Sequence, residues 1–117
     1  MQTVSAASPG PASAPAGVRQ LLDGRRFAEA ARAAEALLAG SPEDRDLLYM
    51  LAVAQRYLGR IPAALVTLSR LEELHPDYPR LYQERGYCHV AQRSPTPATA
   101  AFERAVALNP ALPGSWK

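Results

Sequence analysis

The sequence predicts an all-α fold, a solenoid of antiparallel helix pairs with about three repeats. Three observations predict it: similar residues recur every 34 positions, each such unit contains two stretches of helical hydrophobic periodicity, and glycine or proline separates those stretches. A fixed period of this length is typical of stacked supersecondary units. The columns that keep the spacing are Ala30, Ala64 and Ala98; Leu37, Leu71 and Ala105; Pro42, Pro76 and Pro110; and Leu48, Tyr82 and Trp116.

The first unit, at about residues 11–44, is degenerate and follows a lead-in rich in Pro, Ala, Ser and Gly. We expect residues 1–15 to be disordered, because too few of their groups can be buried to offset an ordering entropy of roughly 1–2 kcal/mol per residue. The solenoid domain is then expected to span residues 16–117. The second helix of the first unit, in "RRFAEAARAAEALLAG", has a clear helical pattern, whereas the first helix of that unit is short and starts near Ala16. Weakened end repeats are typical of solenoids.

The second unit, residues 45–78, contains two helical patterns. The stretch "PEDRDLLYMLAVAQRYLG" carries a broad apolar face, and we expect Ser41 to cap this helix with Pro42 just inside it. Gly59 ends the helix and permits a tight reversal. In "IPAALVTLSRLEELHP" apolar residues recur at three- and four-residue steps. Pro62 suits the first turn, and Pro76 ends the helix because it disfavours helical geometry in the preceding residue.

The third unit, residues 79–112, repeats the design, with "QRSPTPA" in place of the glycine turn. Ser94 or Thr96 can cap its second helix. Trp116 keeps the column of Leu48 and Tyr82, so residues 113–117 are interpreted as the start of a truncated fourth unit. On this interpretation the chain is a fragment of a longer protein.

The repeated motif resembles the tetratricopeptide repeat (TPR), whose pattern is W-x2-L-G-x2-Y, then A-x3-F, then P. The resemblance implies a right-handed superhelix whose concave side is lined by the first helix of each unit. Arg85 stands where the pattern has leucine, and we expect it to reach Glu84 or Glu103 or to extend out of the helix pair. The matching residues are Tyr82, Gly86, His89, Ala98, Phe102 and Pro110 in the third unit, and Leu48, Leu51, Ala64, Leu68 and Pro76 in the second.

A second resemblance is to the N-terminal repeat region of bacterial proteins that join these repeats to a sulfotransferase domain. The stretches "ERG" at 84–86 and "NPALP" at 109–113 carry it. In such proteins a phosphate loop of the later domain binds a phosphoadenosine nucleotide, and these 117 residues contain no such loop.

By the geometry of the repeat family, ten residues are expected to face the concave groove. Tyrosine and arginine are common among them and are enriched at binding hot spots, which favours a protein or peptide partner. Tyr49 and Val53 stand where some relatives hold a C-terminal carboxylate with lysine and asparagine, so that ligand is not expected. The ten residues are Asp46, Tyr49, Val53, Arg56, Tyr57, Arg80, Gln83, Tyr87, Val90 and Ala91.

The sequence shows no catalytic, cofactor or metal site. Cys88 and His89 are adjacent, but neighbouring side chains on a helix point about 100° apart and do not share a ligand easily. Cys88 falls in the column of Ala54, which predicts a place in the core. His89 is expected to lie between helices with a hydrogen-bonded ring nitrogen, and His75 to be a solvated residue at a helix end.

Charge and composition limit the classes of partner and the compartment that are expected for this chain. The net charge is +2, from 13 basic and 11 acidic residues that form no run of one sign, which disfavours nucleic acid. No apolar stretch approaches the 18 residues of a membrane span. A single cysteine fits a reducing compartment, so a cytoplasmic location is expected.

Three functional hypotheses remain open. The chain is a protein-interaction module, the accessory domain of a sulfotransferase whose catalytic domain lies beyond residue 117, or a self-association element. The third would use an apolar solenoid end with Phe102, Val106 and Trp116, through which copies could meet end to end.

Overall fold

Six helices form three hairpins in the computed structural model of the chain, which describes residues 14–111. These residues contain no strand, so the all-α prediction is confirmed. The lead-in was expected to be disordered up to residue 15, but α1 already begins at Ala14. The predictions for residues 1–13 and for the fourth unit at 113–117, Trp116 included, lie outside the described residues. The helices are α1 (Ala14–Asp23), α2 (Phe27–Gly40), α3 (Arg45–Tyr57), α4 (Ile61–Leu74), α5 (Pro79–Ala91) and α6 (Pro95–Leu108).

The turns inside the three hairpins share one geometry. Arg25, Gly59 and Arg93 have φ angles of 60°, 80° and 59°, in the left-handed region, and they are spaced by the repeat length. In each turn the next N–H reaches back five residues, as from Arg60 to the carbonyl of Gln55 at 2.9 Å. This is the Schellman pattern of helix ends. The break at Gly59 is confirmed, and arginine takes the glycine position in the other two turns.

The connections between hairpins differ from the prediction in one place. α3 begins at Arg45, and its N-cap is Asp44, whose Oδ1 accepts a hydrogen bond from the Leu47 N–H at 2.9 Å. Ser41 was expected to be this cap, but it ends α2 instead, with its N–H bonded to the carbonyls of Leu37 and Leu38. Ser94 does stand at the N-cap position of α6, without a side-chain capping bond.

The first helix of each hairpin lies on the inside of the solenoid. α3 packs against both α1 and α5, whereas within residues 14–111 no Cα atoms of α2, α4 and α6 approach one another within 8 Å. The core between the layers holds fully buried side chains such as Leu68, Leu71 and Leu81. Ala30, Ala64 and Ala98 are at most 3% exposed, and small side chains there allow the helices to approach closely.

Arg85 finds a different acid from the two expected. Its Nη2 lies 2.8 Å from Oε1 of Glu72 on α4, and its guanidinium lies 5.5 Å from the ring centre of Tyr82. Glu84 is unavailable because its carboxylate binds Arg56. The ion pair therefore joins the second unit to the third.

Candidate interaction groove

The structure places the ten predicted groove residues at different depths. Tyr49, Val53 and Gln83 are buried. The half-buried ones are Asp46, Arg56, Arg80 and Tyr87, and the exposed ones are Tyr57, Val90 and Ala91. Burial of three of the ten means that part of this face serves the packing between α1, α3 and α5.

Five of the ten line two adjacent cavities on the inner layer. Tyr49, Val53 and Tyr57 line a cavity of about 200 Å³ between α1 and α3, which we call the α1–α3 cavity. Asp46, Tyr49 and Arg80 line a smaller one of about 130 Å³ beside it. Arg19, Tyr49 and Met50 belong to both, so the two form one continuous depression.

The first unit supplies residues of the α1–α3 cavity that sequence reasoning missed. Arg19, Leu22 and Asp23 from α1 line it, with Arg25 and Phe27 from the following turn and helix. The repeat register could have found the three from α1, since they stand 34 residues before Val53, Arg56 and Tyr57. They were overlooked because the first unit departs from the family motif.

Aromatic rings and arginines form a stack along one edge of the inner layer. Phe27 and Tyr57 lie parallel with ring centres 4.4 Å apart, and the Arg25 guanidinium lies 5.3 Å from the Phe27 ring centre. The Arg56 guanidinium lies 4.5 Å from the ring centre of Tyr57 and 4.9 Å from that of Tyr87. Such cation–π contacts each contribute about 0.5–2 kcal/mol. The stack therefore links all three units.

A buried ion pair sits beneath this stack. The Glu84 side chain has no exposed surface, and its carboxylate binds the Arg56 guanidinium, whose Nη2 lies 3.3 Å from Oε1. Burial raises the pKa of the Glu84 carboxyl, and the hydrogen bond from Arg56 opposes that rise. Arg56 therefore binds the neighbouring unit, and a substitution there would disturb the ion pair as well as any contact with a partner.

Two other arginines are better placed to meet a partner. Arg19 and Arg25 are exposed at the mouth of the α1–α3 cavity, and neither forms an ion pair among residues 14–111. Asp23 also lines the cavity, while Asp46 in the adjacent cavity is paired with Arg45 at 3.2 Å. The rim of the α1–α3 cavity is therefore net positive, and its floor of Met50 and Val53 is apolar.

The cysteine and the two histidines, which were considered as nucleophile or metal ligands, have structural roles. Cys88 is fully buried, as predicted. His89 Nδ1 lies 3.2 Å from Gln92 Oε1. His75 was expected to be solvated, but it is half-buried, and its Nε2 lies 3.0 Å from the Glu43 carbonyl, which ties the end of α4 to the connection between α2 and α3. The part of the chain that the structure describes holds no cluster of three metal-ligating side chains and no helix long and apolar enough to cross a membrane.

Solved structures share this fold at low sequence identity. The Yersinia enterocolitica type III secretion chaperone SycD, in complex with a peptide of the translocator YopD, superposes with a TM-score of 0.80 at 14% identity, covering 94% of this chain and 84% of that one. The first TPR of Spaghetti (RPAP3), bound to an HSP90 peptide, superposes with a TM-score of 0.77 at 20% identity, covering 83% of this chain and 77% of that one. MamA MSR-1 C2 superposes with a TM-score of 0.73 at 18% identity. The aligned region covers 80% of this chain and 53% of the MamA chain, so this chain spans about half the length of that protein.

The family assignment rests on sequence as well as shape. A search of curated proteins finds no match to this chain. The sequence profile of the tetratricopeptide repeat matches residues 21–86, which is more than half of the chain. The match runs from within the first unit, through the whole second unit, to the start of the third. With the repeated hairpins described above, this match shows that the chain belongs to the tetratricopeptide repeat family.

Proposed function

We propose that this chain is a protein-interaction module that binds a segment of a partner protein in the groove formed by α1, α3 and α5. The observation that carries this proposal is the α1–α3 cavity, where an apolar floor lies beneath two exposed arginines. Ligand sites typically combine an apolar pocket with a few placed polar groups.

The chemistry of the cavity defines the segment. A cavity of about 200 Å³ has room for one apolar side chain to lie against Met50 and Val53. Arg19 and Arg25 at its mouth favour carboxylates next to that anchor, because bidentate arginine–carboxylate pairs are strong and directional. We therefore propose an acidic segment with a single apolar anchor. Two structures of the same fold hold peptides of YopD and HSP90, which supports a peptide-binding role.

The test is selection of binders from a random peptide library, followed by affinity measurement with labelled peptides. The double variant Arg19→Glu/Arg25→Glu should weaken the selected peptides at least about tenfold, or about 1.4 kcal/mol. The matched control is Arg32→Glu/Arg60→Glu, which makes the same charge change at exposed positions on α2 and before α4. Circular dichroism must show that both variants fold.

Peptides that bind the double variant as well as the unmodified chain would contradict the groove assignment. So would peptides without acidic residues, or equal losses in the control. The catalytic domain beyond residue 117, the fragment interpretation and the cytoplasmic location stay predictions from the sequence alone.

A further inference from the structure

A cavity of about 270 Å³ lies in the outer layer between α2 and α4, and we call it the α2–α4 cleft. Leu48 and Leu51 of α3 form its floor, since they are 3% and 7% exposed, whereas Val66 of α4 is 71% exposed and stands at its rim. The cleft is therefore apolar and open to solvent. The residues that line it are Leu38, Pro42, Leu48, Leu51, Val66, Thr67 and Arg70.

One repeat later, the corresponding place between α4 and α6 holds an aromatic ring with charged groups around it. The Arg104 guanidinium lies 5.3 Å from the centre of the Tyr82 ring, and the Arg85 guanidinium lies 5.5 Å from it. The Glu72 carboxylate lies 2.8 Å from Arg85 Nη2 and 3.4 Å from the Tyr82 hydroxyl. The third unit thus places a ring, a guanidinium against it and a carboxylate beside it, all from this chain.

The second unit keeps the guanidinium of this arrangement but lacks the ring and the carboxylate. Arg70 is the counterpart of Arg104, and leucines stand 34 residues before Tyr82 and Glu72. Arg70 is exposed, and within residues 14–111 it forms no ion pair. The α2–α4 cleft therefore offers the apolar floor and the arginine of the filled site without the groups that occupy it.

We propose that the α2–α4 cleft binds an aromatic side chain of a partner protein, and that an acidic residue next to it in the partner pairs with Arg70. The cleft has room for one aromatic side chain against Leu48 and Leu51. Arg70 supplies the cation–π contact that Arg104 makes to Tyr82. Charge complementarity selects the acid, because Arg70 is the charged residue among those that line the cleft. The site lies between outer helices and does not depend on the proposed function of the groove.

The test uses N-acetyltryptophan, which joins an indole ring to a carboxylate, and N-acetyltryptophanamide, which lacks the charge. Each is titrated into the full chain while NMR follows the amide and methyl signals. Signals of Leu38, Leu51 and Val66 should shift, with a Kd of about 1 mM for a molecule of this size. The uncharged probe should bind about fivefold more weakly. In Arg70→Met the two probes should bind equally, since the group that distinguishes them is gone.

A second variant closes the cleft without touching its buried floor. Val66→Trp places an indole ring of the chain itself at the rim and should weaken N-acetyltryptophan at least about tenfold. The matched control is Val90→Trp, because Val90 is 55% exposed on α5 and does not line the cleft. Circular dichroism must show that both variants fold.

Four results would overturn the proposal. The first is the absence of shifts at the cleft, including shifts confined to the α1–α3 cavity, which would support the groove but not this site. The second is equal affinity of the two probes for the unmodified chain, and the third is an equal loss in the Val90→Trp control. The fourth is a shift of the cleft signals on dilution of the chain without a probe, since a second copy would then occupy the cleft.

Discussion

Gly86 on α5 faces the ring of Phe102 on α6 with no room for a side chain between them. A β-carbon added at Gly86 would lie 2.5 Å from Cε1 of Phe102. One repeat earlier the same two positions hold Ala52 and Leu68, both without exposed surface. The third unit therefore combines a smaller residue on its first helix with a larger one on its second.

Gly86→Ala should lower the free energy of unfolding by about 1 kcal/mol. Alanine gains about 1 kcal/mol in helix propensity over glycine, but displacing a packed ring costs about 1–3 kcal/mol. The double variant Gly86→Ala/Phe102→Leu recreates the pair found in the second unit and should recover the loss. Urea unfolding followed by circular dichroism measures both. Additive effects of the two substitutions would show that the residues are not coupled.

Arg56→Met should destabilise the chain by about 3–5 kcal/mol, because it leaves the buried Glu84 carboxylate without its partner. Arg56→Met/Glu84→Leu removes both charges and should recover most of that loss. The control is Arg26→Met, since the Arg26–Glu29 pair has side chains 61% and 43% exposed. Exposed pairs contribute only about 0–1 kcal/mol. A loss at Arg56 no larger than at Arg26 would contradict the burial of the pair.

Cys88 should be unreactive in the folded chain. Burial raises the pKa of its thiol to about 12, with a smaller contribution from the nearby Glu84 charge, and the thiolate is the reactive form. At pH 8 we expect labelling by a thiol reagent only as fast as the chain unfolds, and rapid labelling in urea. Labelling of the native chain at the unfolded rate would contradict the buried position.

The same shift makes a prediction for alkaline pH. The unfolded thiol loses its proton near pH 8.5, whereas the folded one keeps it up to pH of about 12. The folded state then holds more protons in this window, so stability falls as pH rises. Cys88→Ala, which copies Ala54 of the second unit, should lose less stability than the unmodified chain between pH 8 and pH 10.5. Parallel losses would exclude a contribution from this thiol.

Arg93→Gly should raise the free energy of unfolding by about 0.5–1 kcal/mol. Arg93 has a φ of 59°, and a left-handed residue with a β-carbon is strained by roughly 1–2 kcal/mol, against about 0.5–1 kcal/mol for the extra chain entropy of glycine. The reciprocal change Gly59→Arg, at a φ of 80°, should lower it. If Arg93→Gly is destabilising, the arginine side chain contributes a contact that outweighs the strain.

The sequence was sufficient for features that depend on the period. The helix order, the turn at Gly59 and the burial of Cys88 all follow from one register and are confirmed. The exact residues at which helices begin and end were harder to predict. Ser41 and Asp44 are both good caps, and Asp44 takes the role because α2 continues to Gly40 and leaves Ser41 at its own end.

Contacts between units could not be predicted in the same way. Arg85 has Glu84 beside it in sequence, yet it pairs with Glu72, which faces it from the neighbouring helix α4. The stacking of Phe27 on Tyr57 depends on the left-handed turn at Arg25, and an arginine there gives no local signal for such a turn. The rotation between adjacent helices decides such contacts, and the repeat motif does not specify that rotation.

The two layers of the solenoid differ in how closely their helices approach one another. Its inner helices form a continuous spine, while α2 and α4 are separated on the outside by a cleft lined by Leu38 and Val66. Opening or closing that cleft changes the curvature while leaving the spine in contact. The width of the outer cleft is therefore coupled to the curvature of the inner layer, and so to the breadth of the groove that is proposed to bind a partner.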